Sequence, residues 1–321
     1  MQKTLLLTAA ACLSTAILPA GPAGASEAFP NRPVRIVTTD VGNSNDLLSR
    51  LLAESLTPAL GQQVIVENRG GAGGGIAVER LMNAVPDGHT IMVHDTSVWL
   101  LPLLRNDTPW DPFRDFAPIS MIARNPAVLV VPASLPPKSV GELIEYAKAR
   151  PGQLNYVSVD DGSPSHLAAE LFTSMAGIKV VRVAYRGGGA AFNGLMAGEG
   201  HMMVNAVAPA MVHVRAGRLR ALAVTSRSAL LPDIPTVGAT VPGYEWITHQ
   251  AIFAPAKTPP AIVKRLNAEA VRALGQPELK ERGMKLGIEL GSSASSEVTA
   301  MMKSDTGKMR SVLQRSGIKV R

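Results

Sequence analysis

Three times along this chain a short apolar strand runs into a loop of small residues that opens directly into a helix. The loops are Thr39 to Asp46 (TDVGNSND), Ser158 to His166 (SVDDGSPSH) and Tyr185 to Ala190 (YRGGGA). A fourth glycine-rich turn, with Gly at 70, 71, 73, 74 and 75, follows Val64-Ile65-Val66 and leads into a helix carrying Ile76, Val78, Leu81 and Met82. Glycine spacing this dense lets the backbone turn tightly and approach another group closely. Strands alternating with helices on this scale predict an α/β fold with largely parallel sheets.

The apolar pattern places strands at 34–38, 64–66, 91–93, 128–131, 154–159, 180–184 and 219–225. Helices are expected over 45–60, 76–84, from the capping box Ser139-x-x-Glu142 through Ala149, from Ser163-Pro164 to Gly177, and from the triple glycine 187–189 to Ala197. Thr258-Pro259 starts a long helix, and two more helical segments close the chain. No fixed-period repeat and no low-complexity linker interrupts this order.

Residues 1–25 read as a secretory signal peptide. Lys3 gives a positive start, Thr4 to Leu18 is uncharged and mostly apolar, and Ala23-Gly24-Ala25 offers small residues for cleavage. Cys12 is the only cysteine, and the apolar run continues past it, unlike a lipid-anchored cysteine. Cleavage near Ala25 therefore leaves no thiol and no disulfide, so the folded core must supply the stability. No later apolar run reaches the ~20 residues that span a bilayer. The expected location is outside the cytoplasm, in a periplasm where the host has two membranes.

The length after cleavage favours two domains over one. Apolar residues make up 46% of the chain, too many for disorder, while 4% aromatic leaves little for stacking on bases or sugars. The net charge of +7 is spread without a basic block, which speaks for a solvated basic surface and against nucleic acid.

Familiar catalytic signatures are missing. Gly71-x-Gly73 is followed by Ile76 rather than a third glycine, and no phosphate loop, H-E-x-x-H or G-x-S-x-G occurs. The six histidines show no metal-ligand spacing. Ser163, Ser165 and His166 invite a hydrolase reading, but neighbouring positions at a helix start point apart, and an N-cap role already accounts for Ser163. No catalytic residue, cofactor or metal is expected. The small-residue loops instead present helix N-termini, whose free N–H groups and positive dipole ends suit carboxylates.

The motifs run in a family order: FPNRPVRIV, the G-x-x-x-D loop Gly42 to Asp46, VENRGGAGGGIA, PDGHT, DPFRDFAPIS at 111–120 and GQLNYVSVDDGSPSHLAAELF at 152–172. They continue with VAYRGGGAA at 183–191, AGRLRALAVTS at 216–226, LPDIPTVGATVPGYE at 232–245 and APAKTPPAIVKRLNAE at 254–269. From Phe29 onward the chain closely resembles the Bug (TctC) family, the periplasmic solute-binding receptors of tripartite tricarboxylate transporters. The resemblance implies a type II periplasmic-binding-protein fold, two α/β lobes with a ligand cleft between them. Lobe 1 would be 29–130 plus 250–321 and lobe 2 would be 131–249. It also implies no enzymatic activity and a cleft that closes on a small carboxylated solute.

The same resemblance places ligand contacts at Asp40, Gly42, Asn43, Ser44 and Asp46, at Thr96 and Ser97, at Ser158, Asp160, Asp161, Ser163 and Ser165, at Arg186, Gly187 and Gly188, and at Asn205. Val64 to Gly75 would lie beside the cleft as framework. The chain departs from the family in its first loop, in Asp160-Asp161, in Asp95 and in Asn205. Those aspartates either face solvent and cap helices, or select a ligand bearing an amine or amide. Trp99 fits a buried lobe junction better than ligand stacking, and Arg186 would pair with a ligand or with Asp160 or Asp161. The expected partners are a carboxylate, amino acid or amide and membrane transporter subunits, with the receptor a monomer. The alternative function is a sensor presenting its ligand to a membrane signalling partner.

Overall fold

The computed structural model describes residues 29–316; the leader expected at 1–25 lies outside them. Two sheets share one long strand. In the first, β1 (Val34–Thr38), β2 (Val64–Asn68) and β3 (Thr90–Asp95) run parallel, with α1 (Ser44–Leu60) following β1 and α2 (Gly75–Met82) following β2. A single turn, α3 (Ser97–Leu100), follows β3 and leads to β4 (Phe116–Pro132). In the second, β5 (Asn155–Ser158), β6 (Val181–Ala184) and β7 (Met202–Ala206) run parallel. Four helices connect this half: α4 (Val140–Lys148), α5 (Pro164–Ala176), α6 (Gly188–Met196) and α7 (Val207–Arg215). Then come β8 (Leu219–Val224), β9 (Ile247–Pro255), α8 (Pro260–Leu274), α9 (Pro277–Lys285), β10 (Glu289–Leu290) and α10 (Ser295–Ser316).

The strand order is β2-β1-β3-β9-β4-β7-β5-β6, with β8 and β10 also on β4. Residues 116–126 of β4 pair antiparallel with β9, and residues 127–132 pair antiparallel with β7 and β8. The sheets are thus parallel towards their outer edges and antiparallel in the middle, whereas the sequence pattern predicts largely parallel sheets. The difference arises because β4 and β9 carry the chain across the middle instead of returning through helices.

Strand β4 also begins twelve residues earlier than the expected 128–131, at Phe116. Pro118, Arg124, Asn125 and Pro126 break its apolar run, and proline cannot donate to a ladder. Those prolines sit where the ladder shifts register after Pro118 and where β4 changes partners after Pro126. Thr225 closes the gap at that change: its hydroxyl accepts from Ala127 N at 2.7 Å and donates to Trp246 O at 2.7 Å.

Local signals behave as their chemistry dictates. Asn43, Ser139 and Ser163 accept from the backbone N–H three residues on, capping α1, α4 and α5. In the expected capping box, Glu142 reaches back to Lys138 N at 2.9 Å, one residue beyond the reciprocal bond to Ser139. Leu48, Leu52 and Leu56 of α1 pack with Leu266 and Ala270 of α8 under the first sheet. Val128, Val157, Phe192 and Met203 form a core on one face of the second. A third cluster joins both halves, running from Met92 and Phe253 through Trp99 and Met302 to Phe172 and Tyr156. Trp99 is fully buried there, its Nε1 donating to Asp305 at 3.2 Å, as a lobe-junction aromatic rather than a ligand platform.

Candidate functional site

Each half carries a strand-to-helix loop. In the first half, β1 ends at Thr38 and the chain turns through Asp40 to Ser44 into α1. Asp46 builds this turn from below: its carboxylate accepts from Gly42 N at 2.9 Å and Asn68 Nδ2 at 2.9 Å, and pairs with Arg50 at 3.0 Å. Burial pushes its pKa up, but those three partners outweigh it and hold the group below its ordinary value. Thr39 accepts from Asn43 Nδ2 at 2.7 Å and from Asn45 Nδ2 at 3.3 Å.

Asp95, at the end of β3, forms the second internal anchor. It accepts from Asn45 Nδ2 at 2.9 Å, from Ser97 N at 2.9 Å and from the Ser97 hydroxyl at 2.5 Å, with His94 Nδ1 at 3.7 Å. Burial raises its pKa, yet His94 and the two Ser97 donors more than offset that, so Asp95 stays ionised. Beside it, Gln250 of β9 accepts from Asn125 Nδ2 at 2.7 Å and donates to Ser44 Oγ at 3.3 Å. Asn45 Oδ1 and Asn125 Oδ1 are buried without a hydrogen-bond partner.

The second half builds its loop with hydroxyls and one cation. Ser165 Oγ accepts from Val159 N at 3.0 Å and meets Ser163 Oγ at 3.1 Å, while His166 Nδ1 accepts from Gly162 N at 3.1 Å. Arg182 holds the loop from β6: Nε donates to Ser158 Oγ at 2.7 Å, Nη2 to Val159 O at 2.9 Å, and Nη1 pairs with Asp161. The sequence reading leaves Arg186 to a ligand, Asp160 or Asp161; the residue beside Asp161 is Arg182, and Arg186 is exposed. Nothing lies within 4 Å of where a side chain would begin at Gly187, Gly188 or Gly189, so the α6 turn faces open space.

The two halves touch through the glycine turn that precedes α2. A β-carbon at Gly73 would sit 3.5 Å from Asp161 O and 3.8 Å from Leu101 Cδ2. Leu101 fills the space a side chain at Gly162 would need, and Gly162 has φ +77°, so this approach requires glycine twice over. On the same turn Gly70 lies under the Asp40 carboxylate and Gly74 under the His94 ring. The turn expected as framework thus also carries the contact between halves.

The expected site residues divide by burial. Asp40, Gly42, Asp160, Asp161, Arg186 and Gly187 are exposed, and Asn43, Ser44, Ser163, Gly188 and Asn205 are half-buried. Asp46, Ser97, Ser158 and Ser165 are buried and spend their polar atoms on the protein as described above. Thr96 is also buried, with its hydroxyl donating to His249 O at 3.3 Å and accepting from His249 N at 2.9 Å, which ties β3 to β9. Asn205 Oδ1 accepts from Ala206 N at 2.7 Å. Asn45, Asn125, Arg182 and Gln250 are absent from the sequence-based set. A polar side chain inside a mostly apolar strand (Asn125 in ARNPAVLVV, Gln250 in THQAIFAP, Arg182 in VRVA) is the signal that points to the last three; Asn45 lies in α1 and carries no such signal. Among the described residues no group of three His, Asp or Glu could hold a metal, and no helix is long and apolar enough to cross a membrane.

Residues 48–318 match the family described as TctC, the tripartite tricarboxylate transporter family receptor. The chain is 35% identical over 292 residues to a UPF0065 protein in the tcbD-tcbE intergenic region of Pseudomonas sp. (strain P51), covering 89% of this chain and 87% of that protein. It is 31% identical to BugT of Bordetella pertussis (strain Tohama I), covering 92% of this chain and 93% of the other. Among solved structures it is similar to R. palustris Rpa4515 with adipate, at 32% identity and TM-score 0.81, covering 90% of this chain and 98% of that one. MatC (Rpa3494) of Rhodopseudomonas palustris with bound malate shows 28% identity and TM-score 0.79, covering 89% and 100%.

Proposed function

This chain belongs to the tripartite tricarboxylate transporter receptor family, and from that premise we propose that it is an exported receptor that captures a small carboxylated solute between its two halves. It would work in the periplasm and pass the solute to a membrane transporter of the tripartite type. The observation that carries this reading is the pair of opposed loops. One opens α1 behind Asp46 and the other opens α5 behind Arg182; the turn before α2, whose Gly70 lies under Asp40, meets the second loop at Gly73 and Asp161. Each presents backbone N–H groups and hydroxyls at a helix start, the groups that receive a carboxylate without a buried cation. The similarity to proteins solved with adipate and malate supports the same solute class.

The contact residues we propose are Asp40, Gly42, Asn43, Ser44, Asp160, Ser163, Gly187, Gly188 and Asn205, with Arg186 at the rim; Asp46, Asp95, Thr96, Ser97, Ser158, Asp161 and Ser165 support them. Of the aspartates that depart from the family pattern, Asp95 answers to Asn45 and Ser97, and Asp161 to Arg182. Neither is left to select an amine. We propose lobe 1 as 29–130 plus 250–321 and lobe 2 as 131–249; β4 changes partners after Pro126 and β9 begins at Ile247, a few residues before each boundary. A solute that bridges them favours the closed arrangement, which a transporter can distinguish from the empty one.

A thermal-shift titration tests the reading with malate, adipate and citrate against aspartate and nicotinamide. A ligand that binds only the folded state raises the melting temperature with concentration. Saturable stabilisation by at least one of the three carboxylates is expected. Stabilisation by nicotinamide alone would refute the proposed solute class.

A further inference from the structure

We propose that Glu289 is a positioning residue of the receptor: it fastens the loop after β8 to the sheet that carries β1, and so sets how readily the lobes part and how tightly solute is held. The link to affinity rests on the receptor reading above; the clasp itself does not.

Strand β10 belongs to the first sheet, with Glu289 directly opposite Arg124 and Leu290 opposite Ala123 on β4. Its side chain nevertheless points to the other half. Glu289 Oε1 accepts from the Ser228 hydroxyl at 2.5 Å and from Ala229 N at 3.0 Å, both just beyond β8 of the second sheet. Arg124 Nη1 stands 4.0 Å from Oε2 and faces the same carboxylate. Two residues earlier, Gly287 lies so close to Ala208 of α7 that a side chain at 287 would collide with it. The segment 287–289 therefore touches the second half at two places beside the strand change at Pro126.

The setting suits a clasp better than a permanent weld. A cavity of about 580 Å³ opens between Arg124 and Glu289 on one side and residues 227–239 on the other. Both lobes form its walls, so parting them changes its shape and lets water replace the two bonds to Glu289. Hydrogen bonds to a charged group are the strong ones, and their loss shifts a two-state ratio on the order of tenfold. The lobes also meet where Leu101 sits against Gly162. The lobes are thus held at more than one place, Lys308 and Glu245 at 3.8 Å among them, and at Glu289 a carboxylate accepts both bonds.

The test uses the full chain in a Cys12→Ser background, with spin labels at Gln63→Cys before edge strand β2 and Val181→Cys on edge strand β6. These positions mark the two ends of the strand order. Pulsed dipolar spectroscopy without solute should give a longer or broader distance distribution for Glu289→Ala and for Ser228→Ala than for the parent. Glu289→Gln keeps an acceptor for Ser228 and Ala229, and it should lie close to the parent. With malate or adipate, the dissociation constant of Glu289→Ala should rise on the order of tenfold. Distributions that superimpose on the parent in both alanine variants overturn the clasp, as does an affinity change without a distance change. If Glu289→Ala does not fold, Ser228→Ala decides alone. Distances that lengthen while no solute narrows the parent's distribution uphold the clasp and count against the receptor reading instead.

Discussion

The loop before α1 and the loop before α5 occupy equivalent places and are built from opposite chemistry. The first is braced from within by buried carboxylates, Asp46 and Asp95, whose acceptors are filled by Gly42, Asn68, Asn45 and Ser97. The second is braced by neutral hydroxyls, Ser163 and Ser165, and by Arg182 reaching in from β6. Both deliver a capped helix start. The first depends on ionisation for its shape and the second on one side chain's reach, so the two should fail under different insults.

Asp95→Ala should have the largest effect. It strips Asn45 Nδ2, Ser97 N and the Ser97 hydroxyl of their acceptor in a buried site. Breaking a buried, hydrogen-bonded charge network costs about 3–5 kcal/mol. Urea unfolding of the variant should show that loss, and a loss under 1 kcal/mol would mean water reaches those donors and the brace is dispensable.

Acid should separate the loops next. Asp46 and Asp95 both have folded-state pKa values below their ordinary ones. Their stabilisation is therefore complete above the ordinary carboxylate pKa of about 4 and is lost as pH falls through the depressed values. Hydroxyls do not titrate there. Thermal melts from pH 7 down to pH 3 should fall steeply in the parent and less steeply in Asp46→Asn. Equal slopes would assign the acid sensitivity elsewhere.

How far this contrast can be read from sequence depends on where the signals lie. Caps and glycine turns are local, so Ser163-Pro164 and the 70–75 glycines identify loops and helix starts directly. The strand crossover is hidden, because Pro118, Arg124 and Pro126 carry the marks of a loop while their backbone is held by β9 across the sheet. The partners of Asp95 and Asp161 are hidden for another reason. Asn45 lies fifty residues from Asp95, and Arg182 twenty-one from Asp161. Two arginines four positions apart, 182 and 186, are equally plausible on paper. The pleat of β6 turns the first into the loop, and the second lies past the strand's end.

Arg182→Ala tests the other brace. Ser158 Oγ and Val159 O lose a charged donor, while the Asp161 pair, half-exposed on the carboxylate side, adds little because water screens it. A loss of about 1–2 kcal/mol is expected, together with weaker binding of any solute that stabilises the parent. Stability that falls with affinity unchanged would place this loop outside the solute site.

The smallest effect comes from the caps themselves, and it makes the comparison even-handed. Asn43 caps α1 by accepting from Asp46 N at 3.0 Å, and Ser163 caps α5 by accepting from His166 N at 3.3 Å. Replacing a cap with alanine costs about 1 kcal/mol. Ser163→Ala should cost at least that, because Ser163 Oγ also meets Ser165 Oγ, which holds Val159 N. Asn43→Ala removes a residue that also donates to Thr39, but Asn45 still donates to that hydroxyl. The carboxylate-braced loop should therefore tolerate loss of its cap better than the hydroxyl-braced one. Paired urea titrations decide it. A larger loss in Asn43→Ala would mean that the buried carboxylates need the cap to hold them in place, and that the brace runs from the helix start inward.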